Sequence, residues 1–257
     1  MKRIWSHVVS VVVVGLAAAA AVPACATNDQ TIFIRSALAP SINRQQSGCI
    51  YTADPTQASL FEAKADLGVT DSYMSVLLVG NQLIPRDDSL DNRAESNRVH
   101  VNGAIVRVTE ADGTAIREFT SLATGFADPS SSSTPAYATI GIVSLDAPTR
   151  DLILPSLPNR VVSKTILINI KAFGTTLGGK DVESGEFQLP MQVCNGCLVD
   201  FSSGNDETAK VQPNCNKPLA MPLTPATSPC FTGEDELVPC QVCVKTREAC
   251  DPSKLNP

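Results

Sequence analysis

The chain has 257 residues, of which 43% are hydrophobic and only 5% aromatic, and it carries a formal net charge of −6 at pH 7. No run of Lys or Arg follows the first three residues, so the basic stripe that nucleic-acid binding requires is absent and nucleic acid is excluded as a partner. The single tryptophan is Trp5, so aromatic platforms for stacking sugars or bases are not expected further along the chain.

Met1, Lys2 and Arg3 precede an almost uninterrupted apolar stretch from Val8 to Ala21, which runs into Val22-Pro23-Ala24-Cys25. This is the charged, apolar and small-residue order of an export signal, and the apolar run is shorter than the roughly 20 residues a bilayer-spanning helix needs. A cysteine after Val-Pro-Ala resembles the lipobox of bacterial lipoproteins, in which the cysteine thiol takes a diacylglycerol before signal peptidase II cuts. The resemblance covers residues 1–25 and is silent on the mature fold. It implies a signal peptide over residues 1–24, lipidation at Cys25 and a lipidated tether over residues 25–30. Ala26, rather than Asp, follows the cysteine, which by the same resemblance favours the bacterial outer membrane, on either the periplasmic or the surface face. The competing reading is an ordinary secreted protein cut elsewhere between Ala17 and Ala24, with Cys25 left to pair.

From Thr31 to Val193 the pattern is of short strands with period-two alternation, separated by Pro, Gly, Asn, Asp and Ser clusters. Strands are expected at Thr31 to Ala37, Ser59 to Ala65 and Tyr73 to Val79. A hairpin follows: Arg98 to Thr109, with Gly103 marking a bulge, then the turn Ala111-Asp112-Gly113-Thr114 and a second strand through Ile116 and Phe119. Ala136 to Leu145 reads as another strand. Ile166, Ile168 and Ile170 alternate with polar or outward residues, and a Gly-rich stretch from Gly174 to Gly185 joins them to Phe187, Leu189, Met191 and Val193. The fold class is therefore all-β. Eight or nine strands at this spacing suit an antiparallel β-sandwich of immunoglobulin-like, Greek-key type over residues 31–193; a split near Asn92 into two units is the alternative. Asp128 to Pro135, with four consecutive serines, reads as a low-complexity loop.

After Val193 the composition changes to a cysteine-rich segment over residues 194–257, too poor in apolar residues to build a core alone. With Cys25 assigned to lipid, the remaining cysteines are Cys49, Cys194, Cys197, Cys215, Cys230, Cys240, Cys243 and Cys250. An even set in an oxidising compartment reads as a framework of disulfides, with roughly a hundred possible connectivities. By parity Cys49 should pair with a tail cysteine, Cys194 and Cys197 being the nearest in sequence.

Cys194-Asn195-Gly196-Cys197 and Cys240-Gln241-Val242-Cys243 have the spacing that puts two thiolates on one zinc ion, yet no histidine lies in the tail and exported thiols oxidise, so no metal is assigned. A thioredoxin-like role would need a helix after the first pair, and Leu198 to Gly204 does not read as one. Past the signal only His100 could serve a Ser-His-Asp arrangement, and it alternates with Val99 and Val101 on what should be a solvated face. The acidic run Asp87 to Asn92 offers alternating oxygens but lacks the glycine and closing glutamate of a calcium loop. No catalytic residue and no cofactor is expected. The expectation is a non-catalytic lipoprotein of the envelope, partnered by the membrane through its lipid and by an envelope protein. The rival is an extracytoplasmic enzyme or a thiol-redox protein using the C-x-x-C cysteines.

Overall fold

The structure, a computed structural model, describes residues 31–40, 49–85, 95–130, 134–202, 213–219, 222–225 and 227–254. Cys25 with the signal and tether expected around it, the acidic run Asp87 to Asn92 and the serines at 131–133 lie outside the described residues. The described chain is mostly β. One sheet has the order β2 (Ser59–Leu60), β1 (Ile32–Leu38), β4 (Tyr73–Asn81) and β7 (Ala136–Leu145). The other runs β3 (Ala63–Asp66), β10 (Phe187–Cys194), β8 (Ser163–Thr176), β5 (Val99–Glu110) and β6 (Ala115–Ala127), with β9 (Asp181–Glu183) paired to the end of β8.

The buried faces of both sheets meet in one hydrophobic cluster. Ile32, Leu77, Val79, Ile140 and Ile142 come from the first sheet, and Val101, Val106, Val108, Ile166, Ile168, Ile170, Leu189 and Met191 from the second. Each sheet takes strands from both sides of residue 92. The glycine expected to mark a bulge does so: the register of β5 against both neighbours slips between Val101 and Gly103. The slip inverts the alternation, so that odd positions Val99 and Val101 point inward before it and even positions Ala104, Val106 and Val108 after it. A Cβ at Gly103 would stand 2.5 Å from the Ser121 carbonyl, which reserves the position for glycine.

Three strand expectations need correction. The run Ser59 to Ala65 is broken at Phe61-Glu62, and its halves, β2 and β3, enter different sheets; Phe61 is thrown outward and is 90% exposed. The sheets are not wholly antiparallel, since β3 pairs with β10 in parallel over Ala63–Asp66, and β11 (Val199–Asp200) pairs in parallel with β12 (Val238–Pro239). Each pair is far apart in sequence and joined by no hairpin, so nothing forces the antiparallel sense. The Gly-rich stretch from Gly174 to Gly185 is half strand, taken up by the end of β8 and by β9 on either side of a turn at residues 177–180.

One helix interrupts the strands. In α1 (Ala147–Ile153) the Asp146 carboxylate caps the helix by accepting from Thr149 N at 3.0 Å, and Pro148 sits in the first turn, where its missing N–H costs nothing. The tail has a second small cluster in which Cys215, Cys240, Cys243 and Cys250 pack with Val69, Val199 and Val238. Four disulfides hold it: Cys49–Cys230, Cys194–Cys197, Cys215–Cys240 and Cys243–Cys250. Cys49 thus reaches the tail, but through Cys230, because Cys194 and Cys197 close on each other.

Candidate functional site

β1 leaves the two-sheet body at Leu38, β4 enters it at Tyr73, and β10 ends at Cys194, all at one end of the molecule, the end that carries the tail. Here β10 turns sharply at Gly196, whose φ of +88° only glycine adopts easily. Asp66, at the end of β3, turns its carboxylate into that bend and accepts from Gly196 N at 2.6 Å, Leu198 N at 2.9 Å and Gly68 N at 3.1 Å. The residue is fully buried, and burial raises its pKa above the usual carboxylate range against the pull of those three N–H groups and the Arg160 charge. Arg160 holds the outer side of the bend, donating to the Gly196 carbonyl at 2.7 Å and the Val199 carbonyl at 3.0 Å while its guanidinium covers the Phe201 ring.

Asp66, Cys194 and Cys197 bring their oxygen and sulfur atoms within 4.8 Å of one another. With the sulfurs bridged, neither is the thiolate a metal ion would take. The second C-x-x-C pair does not join them, since Cys240 and Cys243 bond to Cys215 and Cys250. The Cys194–Cys197 turn leads into β11, so no helix dipole is aimed at the sulfurs.

The seam between tail and sheets holds a second group of acids. Gly233, Glu234 and Asp235 run along β3: Asp66 N donates to the Gly233 carbonyl and Asp235 N to the Lys64 carbonyl, both at 2.8 Å. Asp235 adopts a positive φ of 54°, a conformation Asp tolerates better than most residues, and this aims its carboxylate back at the body. It accepts from Tyr73 Oη at 2.5 Å and Lys64 N at 2.7 Å. Glu234 is 6% exposed; Oε1 accepts from Met74 N at 3.1 Å, and Oε2 has no hydrogen-bond partner among the described residues. Burial, with the neighbouring Asp235 charge adding to it, pushes its pKa up to about 8. Sequence reasoning passed over this pair, because Gly-Glu-Asp-Glu reads as a solvated turn. The only available signal was Tyr73, an aromatic hydroxyl on a core-facing strand that needs a buried partner.

Between the loop after β3 and the tail lies an open cleft of about 430 Å³, lined by Thr70, Asp71, Ser72, Thr232, Thr246 and Arg247 among others. Arg247 donates to both Asp71 carboxylate oxygens, at 2.8 and 2.6 Å, and holds that carboxyl below its usual range. The cleft therefore offers hydroxyls and an already matched ion pair, a surface suited to recognition by hydrogen bonding.

His100 lies in β5 on the face opposite the buried valines. Its Nε2 is 3.1 Å from Thr124 Oγ1 and its ring stacks on Phe126 at 4.6 Å, so its contacts are to a hydroxyl and a ring rather than to the carboxylate a triad needs. No protein-family model matches the chain, and no curated protein matches it.

Proposed function

We propose that the chain is a non-catalytic, lipid-anchored protein of the bacterial envelope, in which an immunoglobulin-like β-sandwich stands on a short tether and presents a disulfide-stapled cap to a partner protein. The observation that carries this reading is the separation of Thr31, the first described residue, from the cap. Thr31 enters the body at one end, where Gln82 N donates to its carbonyl, while the cap and its hydroxyl-lined cleft occupy the other. A cap held by four disulfides suits an oxidising compartment. Two sheets sharing one core are what the sandwich reading requires, and Ala26 after the lipobox cysteine favours the outer membrane.

The test is the fate of Cys25. Mass spectrometry of the N-terminal peptide should find it acylated, and Cys25→Ala should move the protein from the detergent to the aqueous phase with an unchanged melting temperature. A wild type that already partitions into water sinks the anchor.

One observation favours a thiol-redox alternative: the buried Asp66 carboxyl, with its raised pKa, stands beside Cys194–Cys197. That reading requires the pair to exchange readily with an external dithiol. Thiol titration after equilibration in graded dithiol buffers separates the two, since a structural pair stays oxidised where a redox pair opens.

A further inference from the structure

The end of the molecule where the chain enters β1 leaves three large apolar side chains about half exposed or more, Phe126 keeping its ring edge open beside the stacked His100. Gln82 N donates to the Thr31 carbonyl at 3.0 Å, so the entry point lies against the segment after β4. Two residues on, Ile84 is 67% exposed, and its carbonyl accepts from Asn97 Nδ2 at 2.7 Å. The same short segment receives the end of β8: Leu177 N donates to the Arg98 carbonyl at 2.8 Å and Gly178 N to the Ser96 carbonyl at 2.9 Å, with Leu177 53% exposed. Arg98 sets its guanidinium over the ring of Phe126, 4.9 Å from its centre, and Phe126 is 47% exposed. Ile84, Phe126 and Leu177 therefore surround residues 96–98 at the end opposite the cap.

We propose that this end face, formed by Ile84, Phe126 and Leu177 with Arg98, is a bilayer-contacting surface whose apolar side chains sit among the headgroups and upper acyl carbons of the membrane. The proposal rests on the lipid-anchor reading of Cys25 and names what the tethered body touches. Six peptide steps separate Cys25 from Thr31, and a chain of that length spans at most roughly 20 Å when fully extended. The acyl chains are thereby confined to the neighbourhood of this end, and the opposite end is held away from them. The chemistry also matches an interface. A ring and two branched aliphatic side chains partition to the headgroup boundary, while an arginine keeps its stem on apolar surface and its head among phosphates. Arg98 Nε lies 2.8 Å from Asp128 Oδ1, the Glu95 carboxylate accepts from Asn97 N at 2.7 Å, and Lys180 and Asp181 flank the same end, so among the described residues the acids slightly outnumber the bases. Such a face suits a largely zwitterionic surface rather than one that depends on anionic lipid. Since acyl chains already supply attachment, the face acts on orientation: it holds the strands upright and the cap outward.

Removal of residues 1–24 takes away the only tryptophan, so single substitutions Ile84→Trp, Phe126→Trp and Leu177→Trp in the processed, lipidated protein report one position each. Val161→Trp, at a residue 91% exposed beside the start of β8, is the control at the cap end. The lipidated proteins are placed in vesicles of phosphatidylethanolamine with a minority of phosphatidylglycerol, with or without bromine on the upper acyl carbons. The expected result is quenching by about twofold or more at positions 84, 126 and 177 and none at 161. An acylated Cys25 without quenching overturns the surface and leaves the anchor standing; an unacylated Cys25 overturns both. Emission changes that follow protein density and ignore bromine identify a second copy of the chain as the occupant, which also overturns the proposal. Should a tryptophan variant fail to fold, hydrogen exchange of the wild type decides. Amides of Leu83, Ile84, Leu177 and Gly178 must gain protection in vesicles relative to detergent, and equal exchange in both overturns it.

Discussion

Tyr73 donates its phenolic proton to Asp235 at 2.5 Å across 162 residues of sequence, joining the first residue of β4 to the tail loop. Tyr73 is buried and Asp235 half-buried, and burial raises both pKa values, so the phenol cannot exchange this bond for water without moving the loop. Tyr73→Phe keeps the ring and removes the donor. It should destabilise the folded protein by about 1 kcal/mol, the cost of leaving a half-buried carboxylate short of a partner. Protease should cut the tail faster in the variant while the body survives. Unchanged tail cleavage would show that the bond does not hold the loop.

Glu234 gives docking of the tail a defined pH dependence. Its carboxyl keeps its proton up to about pH 8 in the folded protein, against a usual value of 4.5. Between those values the docked form binds more protons than the undocked form, so stability falls as pH rises from about 4.5 and levels off above about 8. Asp66 and Asp235, also raised by burial, act in the same direction. The wild-type melting temperature should therefore decline across this window, and Glu234→Gln should flatten the decline, gaining on the order of a few kcal/mol at pH 8 and above relative to pH 4.5. Asp71 contributes with the opposite sign and only in acid, because Arg247 lowers its pKa and that contribution is lost as pH falls below 3.8. Parallel profiles for wild type and variant would refute the assignment.

Cys49–Cys230 spans 181 residues, the longest closure in the chain, whereas Cys194–Cys197 spans 3. On the chain-entropy estimate the long bridge removes roughly 5 kcal/mol of denatured-state freedom and the short one roughly 2. Cys49→Ser should lower the melting temperature by far more than the paired change Cys194→Ser with Cys197→Ser, and should leave Cys230 open to alkylation. Non-reducing peptide maps and thermal melts check both statements.

Asp66→Asn tests the acceptor in the bend. An amide offers one carbonyl oxygen, so it cannot satisfy the three N–H groups that the carboxylate satisfies, and its own NH₂ meets a donor instead. A loss of about 1–3 kcal/mol is expected, with faster reduction of Cys194–Cys197 by a phosphine. A reduction rate equal to wild type would mean that the bend is held by other contacts, Arg160 foremost.

The β character, the hairpin of β5 and β6 and the bulge at Gly103 were legible in the sequence because alternation and turn residues are local signals. The division of Ser59 to Ala65 was not, since Leu60 and Ala63 both read as strand, and only the tertiary choice of sheet separates them. Cysteine parity tied Cys49 to the tail, but the partner could not be chosen without knowing that the bend around Gly196 brings Cys194 and Cys197 together. The acidic seam was hidden for a physical reason. Glu234 and Asp235 are hydrophilic in sequence and become buried and half-buried only because a loop folds onto β3 from 160 or more residues away, while Tyr73 looks like any core aromatic.

The loop at Gly233 to Asp235 also decides what the protein does not do. It hydrogen-bonds the outer rim of β3, at Lys64 and Asp66, where the larger sheet would otherwise end in bare amides and carbonyls. A rim of that kind recruits strands from other molecules. The tail thus acts as a guard against self-polymerisation. A chain that lost its last two dozen residues, or whose loop was prised away, would carry an open template at the edge of an otherwise intact sheet, and misassembly rather than unfolding would be its first failure.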